Sequence, residues 1–327
     1  MEAKSKYLIL LLFLITESTA AQQSYNPLMT VNNFKEDVIN LTLYDFERKR
    51  EIPVKFYLPP TNSEAPVILF SHGLGGSREG SFYLGKHWSA RGYICVFIQH
   101  PGSDESVWKD KPGFRRMNAM RKAANAENFL MRILDVSFTI DKLEELNKDK
   151  NSNYFGRFDL SRIGMSGHSF GARTTQAVSG EVFNNGKLSY ADSRIKAAIA
   201  MSPSSAKNSN PKVSFGYVTI PWLLMTGTKD IAAIGDQDLE SRLSVFPNLP
   251  AGDKYQIVLH NGEHSAFTDR LLPGDSEQRN PNHHKLILAL STAFWDAHLR
   301  RDKKAEEWLK GNGPLSIIEK EDDWKIK

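Results

Sequence analysis

Hydrophobic and polar residues alternate at Ile39, Leu41 and Leu43, and again at Val54, Phe56 and Leu58 beyond the charged stretch 47–50. A period of two with one apolar face predicts an antiparallel hairpin. The later apolar runs do not alternate: 67–70, 93–98, 163–165, 197–201 and 222–225 are continuous, as strands are when helices cover both faces of a parallel sheet. Between them the spacing changes to that of helices, at Phe129, Leu130, Ile133, Leu134 and Phe138, across 174–179, and at Leu286, Leu290, Phe294 and Ala297. A further strand is expected at 255–259, a charged helix at 303–310 and a polar tail after it. The alternation predicts an α/β protein: an open, mostly parallel central sheet with an antiparallel N-terminal hairpin and helices on both faces. No Pro/Gly-rich linker, repeat or low-complexity tract divides it, so residues 22–327 read as a single domain.

The first 21 residues read differently. Lys4 and Lys6 precede an apolar run at 7–15, and Ser18-Thr19-Ala20 supplies small residues before a cut. This is the pattern of a secretory signal peptide. The run is shorter than the ~20 residues a membrane-spanning helix needs, so no transmembrane anchor is expected after cleavage, and the mature chain is expected to be secreted or periplasmic. Asn40-Leu41-Thr42 is a glycosylation acceptor only in a eukaryotic source.

Composition narrows the chemistry. With 40% hydrophobic and 24% charged residues the chain can bury a core. A net charge of +4 with interspersed signs leaves no basic footprint for nucleic acid. The one cysteine, Cys95, excludes an intrachain disulfide and any Cys-cluster metal site, and its apolar strand makes it a small core residue.

In open α/β sheets ligands bind beyond the carboxyl ends of the strands. Gly167-His168-Ser169-Phe170-Gly171 stands there, after the strand at 163–165 and before a helix expected to begin near Ala172. It matches G-x-S-x-G in its strand, turn, helix context, with Ser169 at the apex as nucleophile. A serine needs a base and a group to orient that base, and in this fold class the chain order is Ser, acid, His. Asp230 and His264 follow the strands at 222–225 and 255–259 and fit that order. His260 lies on or barely off its strand, and His283 and His284 precede a helix too late in the chain. Asp236 and Glu263 compete less well with Asp230 by position. Ser71-His72-Gly73-Leu74-Gly75-Gly76-Ser77 follows the strand at 67–70, and the N–H groups of Leu74 and Phe170 are assigned to an oxyanion hole. A phosphate cradle is disfavoured, because G-x-x-x-x-G-K-[ST] is missing. His72 is read as pinning its loop by hydrogen bonding, with no proton-transfer role. Trp108 either walls the cleft or covers the core, and 202–214 is read as a short flap.

Together, Ser71-His72-Gly73-Leu74-Gly75-Gly76 and Gly167-His168-Ser169-Phe170-Gly171, with 158–164 leading into the serine, resemble the α/β-hydrolase group of platelet-activating-factor acetylhydrolases and dienelactone hydrolase-like esterases, over residues 35–300. The resemblance implies an α/β-hydrolase fold, a Ser, Asp, His triad and ester hydrolysis with no metal or organic cofactor. One departure points away from phospholipid specificity. The acetylhydrolases carry their acid after the strand that follows the serine; here that strand runs into Ser202-Pro203-Ser204-Ser205, and the acid comes one strand later, at Asp230, as in dienelactone hydrolases and bacterial cutinases. Dienelactone hydrolases use a cysteine nucleophile where Ser169 stands here, which points to a general esterase. The leading expectation is a secreted serine carboxylesterase acting on small-molecule or lipid acyl esters, short-chain or oxidised lipids among them. A cutinase-like polyester depolymerase and a catalytically idle hydrolase fold that binds a partner are the two other readings.

Overall fold

The computed structural model describes residues 25–31, 37–235, 237–272, 274–275 and 278–327. The expected signal peptide at 1–21 and the competing carboxylate Asp236 lie outside the described residues. In chain order the strands are β1 (Asp37–Asp45), β2 (Arg50–Leu58), β3 (Ala65–Ser71), β4 (Ile94–Ile98), β5 (Phe158–His168), the two-residue β6 (Val182–Phe183) and β7 (Leu188–Ser189), β8 (Ile195–Met201), β9 (Trp222–Lys229), β10 (Lys254–Glu263) and β11 (Asp323–Ile326). The helices are α1 (Phe82–Ala90), α2 (Gly113–Ala123), α3 (Ala126–Lys148), α4 (Phe170–Val178), α5 (Pro211–Phe215), α6 (Leu239–Leu243), α7 (Pro281–His298) and α8 (Lys303–Lys310).

Nine strands form one sheet in the order β1-β2-β4-β3-β5-β8-β9-β10-β11. Strands β4, β3, β5, β8, β9 and β10 pair in parallel, while β1 with β2, β2 with β4, and β10 with β11 pair antiparallel. Alternate residues of the buried strands serve opposite faces, which is why their sequences are continuously apolar. Ile68 and Phe70 join Leu84 and Trp88 of α1 and Leu290, Phe294 and Trp295 of α7. Val67 and Leu69 join Ile133, Val136, Ile140 and Leu143 of α3 on the other face. Each such fully buried large side chain contributes about 1.5–3 kcal/mol. Cys95 is buried in the first of these clusters, and desolvation pushes its thiol well above the ordinary range.

The sequence reading needs three local corrections. The polar tail ends in an edge strand: Trp324 stands opposite Ile257 and Ile326 opposite Tyr255. Helix α4 begins at Phe170, directly after the serine, rather than near Ala172. Within 202–214, the chain closes into α5 at Pro211, with Asn210 accepting from the Lys212 amide as its cap.

Candidate active site

Strands β3, β5, β8, β9 and β10 end on the same side of the sheet, so the loops that follow them converge there. Ser169 sits between β5 and α4 with φ 58° and ψ −115°, a left-handed turn that aims its hydroxyl away from the sheet. Only glycine fits on either side of it. A Cβ on Gly167 would lie 2.5 Å from the Gly171 carbonyl oxygen, and one on Gly171 would lie 1.8 Å from the Ser71 carbonyl oxygen. The Ser169 amide donates to the Met201 carbonyl at 2.9 Å, which fixes the turn to the end of β8.

Strand β10 breaks its pairing register with β9 between Leu259 and Glu263, and the next residue, His264, opens a short 3-10 turn. Its Nε2 is 2.8 Å from Ser169 Oγ and its Nδ1 is 2.6 Å from Asp230 Oδ1. A carboxylate only accepts, so Nδ1 carries the hydrogen and Nε2 is left to accept from the serine hydroxyl. Asp230, directly after β9 and fully buried, also accepts from Thr226 Oγ1 at 2.8 Å. The competing side chains lie elsewhere. His260 is exposed, and its amide donates to Asp322. His284 stacks on Tyr83 at 4.0 Å. His283 and Glu263 border a separate hollow.

No family model matches the chain. It is 24% identical over 212 residues to a cutinase of Thermobifida alba, spanning 64% of this chain and 57% of that protein. It is 26% identical over 179 residues to a platelet-activating factor acetylhydrolase of Cavia porcellus, spanning 47% of this chain and 38% of that protein. The chain therefore covers less than two thirds of either relative. With the sheet order and the serine turn, these likenesses settle the architecture. The fold is that of the α/β-hydrolases.

The candidate site includes charged residues that sequence reasoning missed. Arg242 of α6 is buried against Asp230: its Nε is 2.6 Å from the Asp230 carbonyl oxygen and 3.1 Å from Oδ1. Its Nη1 donates to the Ser202 and Pro203 carbonyls at 2.9 and 3.3 Å, and its Nη2 is 3.3 Å from His264 Nδ1. One guanidinium thus ties together the loops after β8, β9 and β10. Burial pulls the Asp230 pKa upward, but Arg242 and then His264 outweigh it and hold the carboxyl well below the usual range. His168 donates from Nε2 to the His264 carbonyl at 3.0 Å; burial, then the neighbouring His264, keep its own ring neutral.

A second buried network lies under the glycine-rich loop. Arg132 of α3 donates to the His72 carbonyl, to Ser71 Oγ at 3.1 Å and to Ser103 Oγ at 2.9 Å. Ser71 Oγ meets His100 Nε2 at 2.9 Å, and His100 Nδ1 meets Asp135 Oδ2 at 3.0 Å. Arg48 and Arg50 pair with Asp135 at 2.7 and 2.9 Å. His72 donates from Nδ1 to the Gly73 carbonyl at 2.6 Å and accepts the His100 amide on Nε2 at 3.1 Å. Among the described residues, the amides of Leu74 and Phe170 have no hydrogen-bond partner, and both residues border the cavity at Ser169. Sequence gave little sign of Arg132, Asp135 or Arg242, because a charged residue within a helix ordinarily faces solvent.

The cleft has two lobes that share Leu74, Ser169, Ala232 and Ile234. The larger, about 400 Å³, is walled by Phe82, Met117, Met120, Ile234 and Leu272. The smaller, about 290 Å³, is more polar, with Asn125, Arg173, Ser204 and Ser205 beside Phe129 and Phe170. Trp108 donates from Nε1 to the Gly75 carbonyl at 2.7 Å and so braces the glycine-rich loop. Among the described residues no group of three or more His, Cys, Asp or Glu side chains is arranged to hold a metal ion. Among them, too, no helix is long and apolar enough to cross a membrane.

Proposed function

We propose that the protein is a serine carboxylesterase that cleaves acyl esters through Ser169, His264 and Asp230. The observation that carries this reading is the unbroken chain Ser169 Oγ, His264 Nε2, His264 Nδ1, Asp230 Oδ1, at 2.8 and 2.6 Å, on the floor of an apolar cleft. Ser169 Oγ attacks the ester carbonyl while His264 Nε2 takes its proton, and Asp230 stabilises the imidazolium and holds its tautomer. The Leu74 and Phe170 amides take the developing oxyanion, where one such donor contributes about 3 kcal/mol. His264 then protonates the departing alkoxide and leaves an acyl group on Ser169. Water, deprotonated by the same ring, attacks the acyl carbon and releases the carboxylic acid. The apolar wall of the larger lobe suits a hydrocarbon portion of the ester, and the polar lobe suits the other portion.

The test is Ser169→Ala. Hydrolysis of p-nitrophenyl acetate is expected to fall to background with the melting temperature unchanged, and undiminished turnover would refute the assignment. A second reading, polyester hydrolysis, is favoured by one observation: the acid follows β9, as in cutinases, and one of the two relatives is a cutinase. Release of soluble acids from a polyester film, measured against a small-ester control, supports this reading, and no release eliminates it.

A further inference from the structure

The two lobes of the cleft divide an ester between them. His264 borders the larger lobe and not the smaller, while Phe170 borders the smaller and not the larger. With Ser169 acting as proposed, the leaving oxygen lies beside His264 Nε2, which protonates it, so the alcohol occupies the larger lobe. The acyl chain is then directed past the Phe170 amide into the smaller lobe.

The lobes differ in charge. Glu79, Glu105 and Asp269 border the larger one, against Arg270. Arg173 and Arg242 border the smaller one, and among the described residues no carboxylate does. Arg242 is committed to Asp230 and to the Ser202 and Pro203 carbonyls. Arg173 is not committed in that way. It stands one helical turn beyond Ser169, its amide donating to the Ser169 carbonyl at 3.1 Å, and side chains at that spacing share a helix face and lean toward its N-terminus. Its Nη1 donates to the Ser204 carbonyl and its Nη2 meets Glu181 Oε1 at 2.9 Å, which holds the guanidinium in place. Its Nε–H has no hydrogen-bond partner among the described residues. Glu181 lies behind it, 2% exposed and away from the lobe. Burial raises the Glu181 pKa to about 7 against the pull of Arg173, the one charged group that acts on it among the described residues; its other polar neighbour is Gln176, at 3.5 Å. Below that pH the pair carries a net positive charge, and above it the two charges offset each other.

We infer that the smaller lobe is a subsite for an anionic acyl chain, so that the protein cleaves half-esters of short dicarboxylic acids with apolar alcohols and Arg173 binds the free carboxylate. The inference rests on the esterase reading and names its substrate class. The bond between the acyl carbon and the alcohol oxygen breaks, water supplies the hydroxyl, and the products are a dicarboxylic acid and the alcohol. The charge-assisted bond to Arg173 selects the anion in the smaller lobe, and the carboxylates of the larger lobe repel it from the alcohol side.

The experiment compares monohexyl succinate with hexyl 4-methylpentanoate, an uncharged ester of the same alcohol and similar acyl shape, by the acid each releases. The readout is the ratio of kcat/KM, half-ester over neutral ester, in which changes to the shared catalytic residues cancel. In the wild type the ratio should exceed one well below pH 7 and fall as pH rises through 7, where Glu181 ionises and offsets Arg173. Arg173→Gln should lower the ratio about 10- to 100-fold, the range for a hydrogen bond to a charged group. Glu181→Gln should keep the ratio high on both sides of that pH, a gain that a loosened site does not produce. A wild-type ratio below one, a ratio unchanged by Arg173→Gln, or a pH dependence that survives Glu181→Gln overturns the inference. A chain that cleaves neither ester counts against the esterase reading. Calorimetric binding of the two esters to Ser169→Ala reads the subsite without turnover: tighter binding of the half-ester supports the inference, and equal affinity overturns it.

Discussion

Arg242 places a positive charge against the residues proposed to handle the proton, and its removal can be worked through in magnitude. Arg242→Gln leaves Asp230 buried without its cation, with Thr226 and His264 among its remaining polar partners. Removing one member of a buried ion pair ordinarily costs about 3–5 kcal/mol. For a chain of this size that lowers the melting temperature by about 4–8 °C. Arg242 also bonds the Ser202, Pro203 and Asp230 carbonyls, so its loss loosens the loops that hold Asp230 and His264, and kcat should fall. Asp230→Asn alone should cost about 10⁴ in kcat through loss of the tautomer. In stability, the double variant Asp230→Asn/Arg242→Gln should cost less than the sum of the singles by about 0.5–3 kcal/mol, because neither buried charge is then left unpaired. Rates of p-nitrophenyl acetate hydrolysis and melting curves measure both. Stability losses additive within about 0.5 kcal/mol would contradict an electrostatic pairing of Arg242 with Asp230.

The remaining predictions concern the parts that hold the site. Gly171→Ala forces a Cβ onto the Ser71 carbonyl, so activity should fall at least about 100-fold from displacement of the turn, read as kcat with p-nitrophenyl acetate. Arg132→Met removes the donor to the His72 carbonyl, at about 1–3 kcal/mol, and takes one partner from the Ser71 and Ser103 hydroxyls, which keep their bonds to His100. It should lower kcat more than it raises KM, since the loop carrying the Leu74 amide loosens. His100 is held at about 4, chiefly by burial and then by Arg132, below its ordinary 6.5. Its folded pKa is depressed, so its stability contribution is complete above 6.5 and is lost as pH falls toward 4. The melting temperature should drop across that window, and His100→Asn should flatten the drop. Asp230 follows the same sign at lower pH: its contribution is complete above 3.8 and is lost below it. In Arg242→Gln that loss should begin at higher pH.

The parts of the site that sequence located are those where backbone geometry restricts residue type. The serine turn was legible because Gly167 and Gly171 pass so close to Ser71 and to each other that no side chain fits. Asp230 and His264 were legible because each directly follows a strand, and the irregular end of β10, with Asn261 at φ 52°, carries the chain past exposed His260 to His264. The buried charges were not legible. Arg132 and Asp135 lie among the apolar positions of α3 next to Ile133 and Val136, and nothing local distinguishes them from the solvated Arg121 and Lys122 of α2. Their roles exist only once β3, β4 and α3 are packed together. Strand β11 was hidden for a related reason: four residues on a sheet edge, with Trp324 and Ile326 alternating with charge, make too short a pattern to separate from a tail.

The central claim, that Ser169 is a nucleophile activated by His264, is tested most directly by exposing the chain to a fluorophosphonate and locating the adduct by peptide mass spectrometry. One equivalent is expected on Ser169, formed more than a hundredfold more slowly in His264→Ala and absent in Ser169→Ala. A folded wild-type chain that remains unmodified, or an adduct on any other residue, would contradict the account.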